Sequence, residues 1–140
     1  MTEAPNKKPS RRVLLADDNE ALQVAVRRVA ESRGHQILRA TTGATAFTVA
    51  LEAQPDVIVL DMAFPDADGR DVLRKLKNDA RTAHIPVLVW SGRSGHESDS
   101  RISLDLGAED YVEKSDAQLL LRKLERVLLR LDEVGAYKQA

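Results

Sequence analysis

Three apolar runs that end abruptly on polar residues constrain this chain more than any other feature. Val13-Leu14-Leu15-Ala16 stops at Asp17-Asp18, Val57-Ile58-Val59-Leu60 stops at Asp61, and Val87-Leu88-Val89-Trp90 stops at Ser91. A strand with one face in water alternates apolar and polar residues. Continuous runs instead predict strands covered on both faces, as parallel strands are when helices flank the sheet. Two weaker strands complete the set: Ile37-Leu38-Arg39-Ala40, near a sheet edge, and the short Tyr111-Val112, leading to Lys114. Helical spacing fills the intervals. Leu22, Val26 and Val29 follow the capping residue Asn19, Phe47 and Leu51 sit in a helix over 43–54, and Gly69 opens a helix carrying Val72, Leu73 and Leu76. A polar fourth helix spans about 94–106 and a long fifth begins near Asp116. The pattern predicts a five-stranded, doubly wound parallel α/β sheet.

A chain of 140 residues, 43% hydrophobic and 31% charged, is long enough for one domain with a real core. That domain is drawn over residues 12–134, with a flexible tail at 1–11 and a C-terminal tail at 135–140. The absence of cysteine excludes a disulfide scaffold, a thiol nucleophile and a cysteine-ligated metal. A net charge of -1 gives no broad electrostatic basis for direct nucleic-acid binding. No apolar run has the length of a membrane span or a signal core, so a cytoplasmic protein without membrane attachment is expected. His35, His84 and His96 lack metal-ligand spacing, and Gly92 and Gly95 make no dinucleotide fingerprint.

In doubly wound sheets, ligands gather at the carboxyl ends of the strands. Those ends are where this sequence turns polar. An aspartate there is, taken singly, more often a turn former or a helix cap. The conjunction is more specific: three carboxylates (Asp17, Asp18, Asp61), the Ser91 hydroxyl and the Lys114 ammonium share one rim. Two carboxylates ~5 Å apart repel by roughly 3 kcal/mol at an effective dielectric near 20. Such a cluster calls for a cation. Few, all-oxygen protein ligands suit Mg²⁺, with Mn²⁺ as a substitute, and Mg²⁺ takes phosphate as a co-ligand. Lys114 and Ser91 suit phosphoryl oxygens.

Over residues 12–131 the chain resembles a response-regulator receiver domain of two-component signalling, with the CheY-like, flavodoxin-like (βα)5 fold. The resemblance rests on Leu15-Ala16-Asp17-Asp18, Val59-Leu60-Asp61, Pro65 with Asp68-Gly69, Trp90-Ser91-Gly92, and the stretch from Gly107 to Lys114, in that order. It implies that Asp61 accepts a phosphoryl group from a histidine kinase or a histidine phosphotransfer protein. It implies Mg²⁺ held by Asp18 and Asp61, by Asp17 mainly through water, and by the main-chain carbonyl of Ala63. Ser91 and Lys114 bind the phosphoryl oxygens, and Tyr111 is the aromatic switch that follows Ser91. The output is a partner-binding surface on the fourth helix, fifth strand and fifth helix, read by a downstream protein target. The chain is expected to be a monomer, or a weak dimer through that surface. Its chemistry is limited to self-phosphorylation from a donor and autodephosphorylation.

Some positions depart from the family pattern. Ser115 stands where the family has proline, and Ser115-Asp116-Ala117-Gln118 reads as a capping box that fixes the last helix instead. Ala63 cannot position a hydrolytic water, and Arg93 either leans toward the phosphate or points to solvent. Slow self-dephosphorylation is expected, over minutes or longer for a barrier near ~20 kcal/mol. Ser94, Gly95, Ser98, Asp99 and Ser100 are weak helix formers, so a mobile fourth helix is expected. Leu120, Leu124, Val127, Leu131 and Val134 form a heptad-like seam that serves either the domain's own core or a dimer. The length leaves no room for an output domain, which favours a single-domain response regulator. The alternatives are an adaptor that keeps the fold without phosphorylation and, less favoured, a phosphohydrolase with an aspartate nucleophile. The latter wants an acid two residues after the nucleophile, where this chain has Ala63.

Overall fold

The computed structural model describes residues 11–17, 19–92, 97–114 and 117–139, with side chains except at 97–99, 132 and 134–139. Five strands alternate with five helices among these residues: β1 (Arg12–Ala16), α1 (Glu20–Ser32), β2 (Gln36–Ala40), α2 (Gly43–Ala53), β3 (Val57–Asp61), α3 (Gly69–Asn78), β4 (Val87–Ser91), α4 (Glu97–Asp105), β5 (Asp110–Glu113) and α5 (Ala117–Gln139). The strands form one parallel sheet in the order β2-β1-β3-β4-β5. The direction of winding reverses at β1, so the crevice between the ends of β1 and β3 is the natural place for a ligand.

The continuous apolar runs are explained by the two faces they fill. Val13, Leu15, Val57, Val59, Leu88 and Trp90 pack on one side with α1 and α5 residues such as Val26 and Leu124. Leu14, Ile58, Leu60, Val87 and Val89 pack on the other with Ala46 and Ala50 of α2 and Leu73 and Leu76 of α3. Every residue of β3 and β4 is buried. The edge strand β2, with its interrupted pattern, is only partly covered. Local signals set the helix starts. Asn19 accepts the Leu22 amide at 3.0 Å, Thr42 and Thr45 cap α2 reciprocally, and Asp68 accepts the Arg70 amide at 2.9 Å.

The ends of the domain can be described in part. Arg11, the last residue of the stretch drawn as a tail, is anchored to other parts of the fold. Its amide donates to His35 Nδ1 at 2.8 Å and its guanidinium to the Leu131 carbonyl at 3.0 Å. Such side-chain anchoring leaves no apolar pattern to read. At the other end, α5 continues past Val134 to Gln139. No proline interrupts it, and a single Gly135 costs a helix only about 1 kcal/mol. The first four positions of the seam on α5 are spent on this domain's own core: Leu120, Leu124 and Val127 are buried there and Leu131 is packed against it. The fourth helix is described from Glu97, and its expected start at 94 lies outside the described residues.

Candidate functional site

Four parallel strands deliver the polar cluster. In the register of the sheet Ala16 lies beside Leu60, so Asp17 and Asp61 emerge side by side at the ends of β1 and β3. Lys114 follows β5 directly, and its amide donates to the Ser91 carbonyl at 2.7 Å, which ties the ends of β4 and β5 together. Asp17, Asp61 and Ser91 are all buried, at 0%, 3% and 1% exposure.

One ammonium holds the two carboxylates. Lys114 Nζ lies 3.0 Å from Asp61 Oδ2 and 3.3 Å from Asp17 Oδ2. The other oxygens are held by backbone: the Ala63 amide donates to Asp61 Oδ1 at 3.1 Å and the Asn19 amide to Asp17 Oδ1 at 2.7 Å. Both are short turns of the i to i+2 kind that aspartate favours. Burial pushes the Asp17 carboxyl above its ordinary range; the Asn19 amide opposes this, and the Asp61 charge adds to it. Burial alone would lower the Lys114 ammonium, but its hydrogen bond to Asp61 and the charges of Asp17 and Asp61 outweigh that and leave it raised.

The donor set fits a hard divalent cation. Asp17 Oδ2 is buried and accepts no hydrogen bond; the Lys114 ammonium lies 3.3 Å away and the Asp61 charge opposes its ionisation. A buried anionic oxygen without a hydrogen-bond donor is costly. A divalent cation would supply the direct ligation that the shared ammonium does not. Among the described residues no group of three metal-ligating side chains comes together. The third carboxylate expected there, Asp18, lies outside the described residues, as do Arg93, Ser115 and Asp116. The geometry of the Lys114-Ser115 junction and the capping box therefore lie outside them too.

The loop between β3 and α3 is a compact bend beside Asp61. Ala63 bridges antiparallel to Asp68, Phe64 N donates to Ala67 O at 3.2 Å, and Gly69 N donates to Met62 O at 2.8 Å. Ala63 itself is exposed at the site's rim. Gly69 is required by a close approach: a Cβ there would lie 2.4 Å from Met62 Cα and 2.5 Å from the Asp61 carbonyl oxygen. Tyr111 is half-buried on β5 and packs against the α2–α3 side of the core, in register with Val89. Two contributors escaped the sequence reading. Gln23, buried on α1, donates to the Asp17 carbonyl at 3.1 Å. Asp66 reaches from the loop to the start of α2, accepting the Gly43 amide at 2.8 Å. Neither has a sequence signal, because each partner is defined only by the fold.

Comparison with known proteins agrees with this architecture. The response regulator receiver domain family matches residues 13–125, and the chain belongs to that family. It is 32% identical to Protein PilH of Pseudomonas aeruginosa over 118 residues, covering 84% of this chain and 97% of PilH. It is 35% identical over 124 residues to the DNA-binding dual master transcriptional regulator RpaA of Synechocystis sp., covering 88% of this chain and 51% of RpaA. The chain thus spans about half the length of that regulator. Among solved structures, the Mn(2+)-bound form of response regulator Rcp1 superposes with a TM-score of 0.70 at 26% identity, covering 82% of this chain and 91% of the other. This is a receiver domain, a signalling module of two-component systems. No helix among the described residues is long and apolar enough to cross a membrane.

Proposed function

We propose that Asp61 is the phosphoacceptor of a single-domain response regulator whose working unit spans about residues 12–134. The observation that carries this reading is the Lys114 ammonium set between two buried carboxylates at the ends of β1 and β3. A purely structural ion pair needs one carboxylate. Here there are two sharing one ammonium, one of them with a buried oxygen that accepts no hydrogen bond, and the whole cluster opens at the sheet's ligand-binding rim.

In the proposed reaction an Asp61 carboxylate oxygen attacks the phosphorus of a phosphohistidine on a kinase or phosphotransfer protein. The new O–P bond replaces the P–N bond, and the imidazole leaves with a proton from water. Asp18, Asp61 and the Ala63 carbonyl, with Asp17 mainly through water, would hold Mg²⁺ or Mn²⁺, which would supply positive charge against the phosphoryl oxygens. Lys114, 3.0 Å from Asp61 Oδ2, contributes a further positive charge. Position and charge supply nearly all the catalysis in such a transfer. Ser91 donates its hydroxyl to a phosphoryl oxygen, and Tyr111 repacks in response. The two-state surface formed by α4, β5 and α5 then binds the downstream target. Arg93 and the side chain at position 63 tune the lifetime of the acyl phosphate. Ala63 offers no proton, which favours an acceptor over a phosphohydrolase. The cytoplasm is the compartment this reading calls for.

The test is intact-mass spectrometry of the full chain after incubation with MgCl₂ and acetyl phosphate, beside Asp61→Ala. The expected result is one added phosphoryl group in the wild type and none in the variant. Equal modification of both chains overturns the assignment. No modification with acetyl phosphate or with a histidine-phosphorylated donor favours the adaptor.

A further inference from the structure

We propose that Asp66 is a positioning residue for the cation site, acting through the loop between β3 and α3. The inference rests on the reading of Asp17, Asp61 and the Ala63 carbonyl as cation ligands.

Asp66 sits at the exposed tip of the bend that carries Ala63. Both of its carboxylate oxygens leave the loop. Oδ1 accepts the Gly43 amide at 2.8 Å and Oδ2 accepts the Ala44 amide at 3.2 Å. Gly43 and Ala44 are the first two residues of α2, whose amides have no partner within the helix. An anion at this end of a helix is favoured twice, by hydrogen bonds and by the helix dipole. Those amides hold the Asp66 carboxyl below the usual carboxylate range. The two segments also touch. A Cβ on Gly43 would lie 2.8 Å from Ala67 Cβ and 3.0 Å from Val72 Cγ2, so glycine is what allows the approach.

The far side of this clamp returns to the site. Just before α2, the Ala40 carbonyl ends β2 and accepts the Asp17 amide at 3.0 Å. Asp66 therefore closes a circuit from β3, through the loop tip, across to α2 and β2, and back to Asp17. The Ala63 peptide is fixed at both ends: at its base by the bridge to Asp68, and at its tip by α2. Mg²⁺ tolerates little departure from octahedral geometry. Groups that orient metal ligands without touching the ion typically cost about 10–100-fold in affinity when removed. Asp66 occupies that role for the one ligand that is a main-chain atom on a loop.

The experiment titrates the full chain with MgCl₂. Binding is read by calorimetry and by fluorescence of Trp90, whose Cα is the register partner of Asp61. Asp66→Ala is expected to raise the Mg²⁺ dissociation constant about tenfold. Asp66→Asn, which keeps one acceptor oxygen, should fall between it and the wild type. Thr42→Ala is the discriminating control. It removes the other cap from the same helix and leaves the loop alone, so it should bind Mg²⁺ as the wild type does. Without metal, Asp66→Ala should speed amide exchange at Gly43 and Ala44. Folding of the variant is protected because the Thr42–Thr45 box still caps α2. Wild-type affinity in Asp66→Ala overturns the proposal. So does equal weakening by Thr42→Ala, which would mean that fraying of α2 is the cause. A wild type that binds Mg²⁺ no better than Asp61→Asn overturns the ligand reading and the proposal with it. In that case unchanged exchange at Gly43 would show that the clamp itself is absent.

Discussion

Lys114→Met isolates what the central ammonium does. Methionine keeps the apolar stem and removes the charge, so packing is largely preserved. Asp17 and Asp61 are then left facing each other with side chains 0% and 4% exposed. Breaking a buried pair by deleting one partner costs about 3–5 kcal/mol. The lower end applies here. Lys114 is itself 27% exposed, so water replaces part of the lost interaction. Each carboxylate also keeps one backbone amide. The two pairs share one ammonium and do not add. A loss of about 3 kcal/mol in a chain of this size, with an unfolding entropy of about 0.3 kcal/mol/K, lowers Tm by about 10 °C. The assay is thermal unfolding in EDTA at pH 8.

The pH dependence supplies a second constraint. The folded pKa of Asp17 lies above its unfolded value of 3.8, chiefly through burial. The native state therefore holds this proton more tightly. Stability from Asp17 is greatest below pH 3.8 and is lost as pH rises through the raised folded pKa. Removing Lys114 takes away an influence that lowers that pKa, so the window extends upward. The variant should lose more stability than the wild type between pH 4 and neutrality, and the two Tm curves should converge in acid. Superimposable melting curves at pH 8, or a gap that is constant with pH, would refute the reasoning.

Other substitutions probe the site and the scaffold separately. Gly69→Ala drives a Cβ into the backbone at Met62 and Asp61; a stability loss of about 3 kcal/mol in urea unfolding and slower phosphorylation from acetyl phosphate are expected. Ala63→Asn places an amide able to orient water beside Asp61, and the acyl phosphate should decay about tenfold faster, equivalent to 1.4 kcal/mol of barrier, when followed by mass spectrometry. Leu124→Ala, fully buried on α5, should cost about 3 kcal/mol, whereas Leu129→Ala, 37% exposed on the same helix, should stay within about 0.5 kcal/mol. The reverse order in urea unfolding would mean that α5 packs through a different face.

The sheet was legible because its strands are buried on both faces. Val57-Ile58-Val59-Leu60 has no polar residue to give either face to water, and the structure divides it between two cores. The edge of the fold was less legible where side chains from elsewhere decide it. Arg11 looks like the end of a polar tail until its amide meets His35 and its guanidinium meets Leu131. The seam on α5 was ambiguous for a related reason. A heptad spacing records that one face is apolar, not what covers it, and here the first four positions face the domain's own sheet.

The site divides along the same line. Asp17, Asp61, Ser91 and Lys114 could be read because each interrupts a strand at its carboxyl end, and the topology of parallel strands brings such ends together whatever their separation in sequence. Asp66 could not be read. It stands in a loop where aspartate is ordinary, and its partners lie 23 and 22 residues earlier. What singles it out is that both of its oxygens leave the loop that carries them. A residue that grips chemistry shows in a sequence by the pattern it breaks. A residue that grips the scaffold around that chemistry breaks no pattern, since its effect is a distance held between two segments. The Ala63 carbonyl, expected as a ligand from the family resemblance alone, has no side chain to mark it, and Asp66, proposed as its support, has no place at the cluster. Asp66 becomes legible only once the bend between β3 and α3 is seen to be tied at both ends.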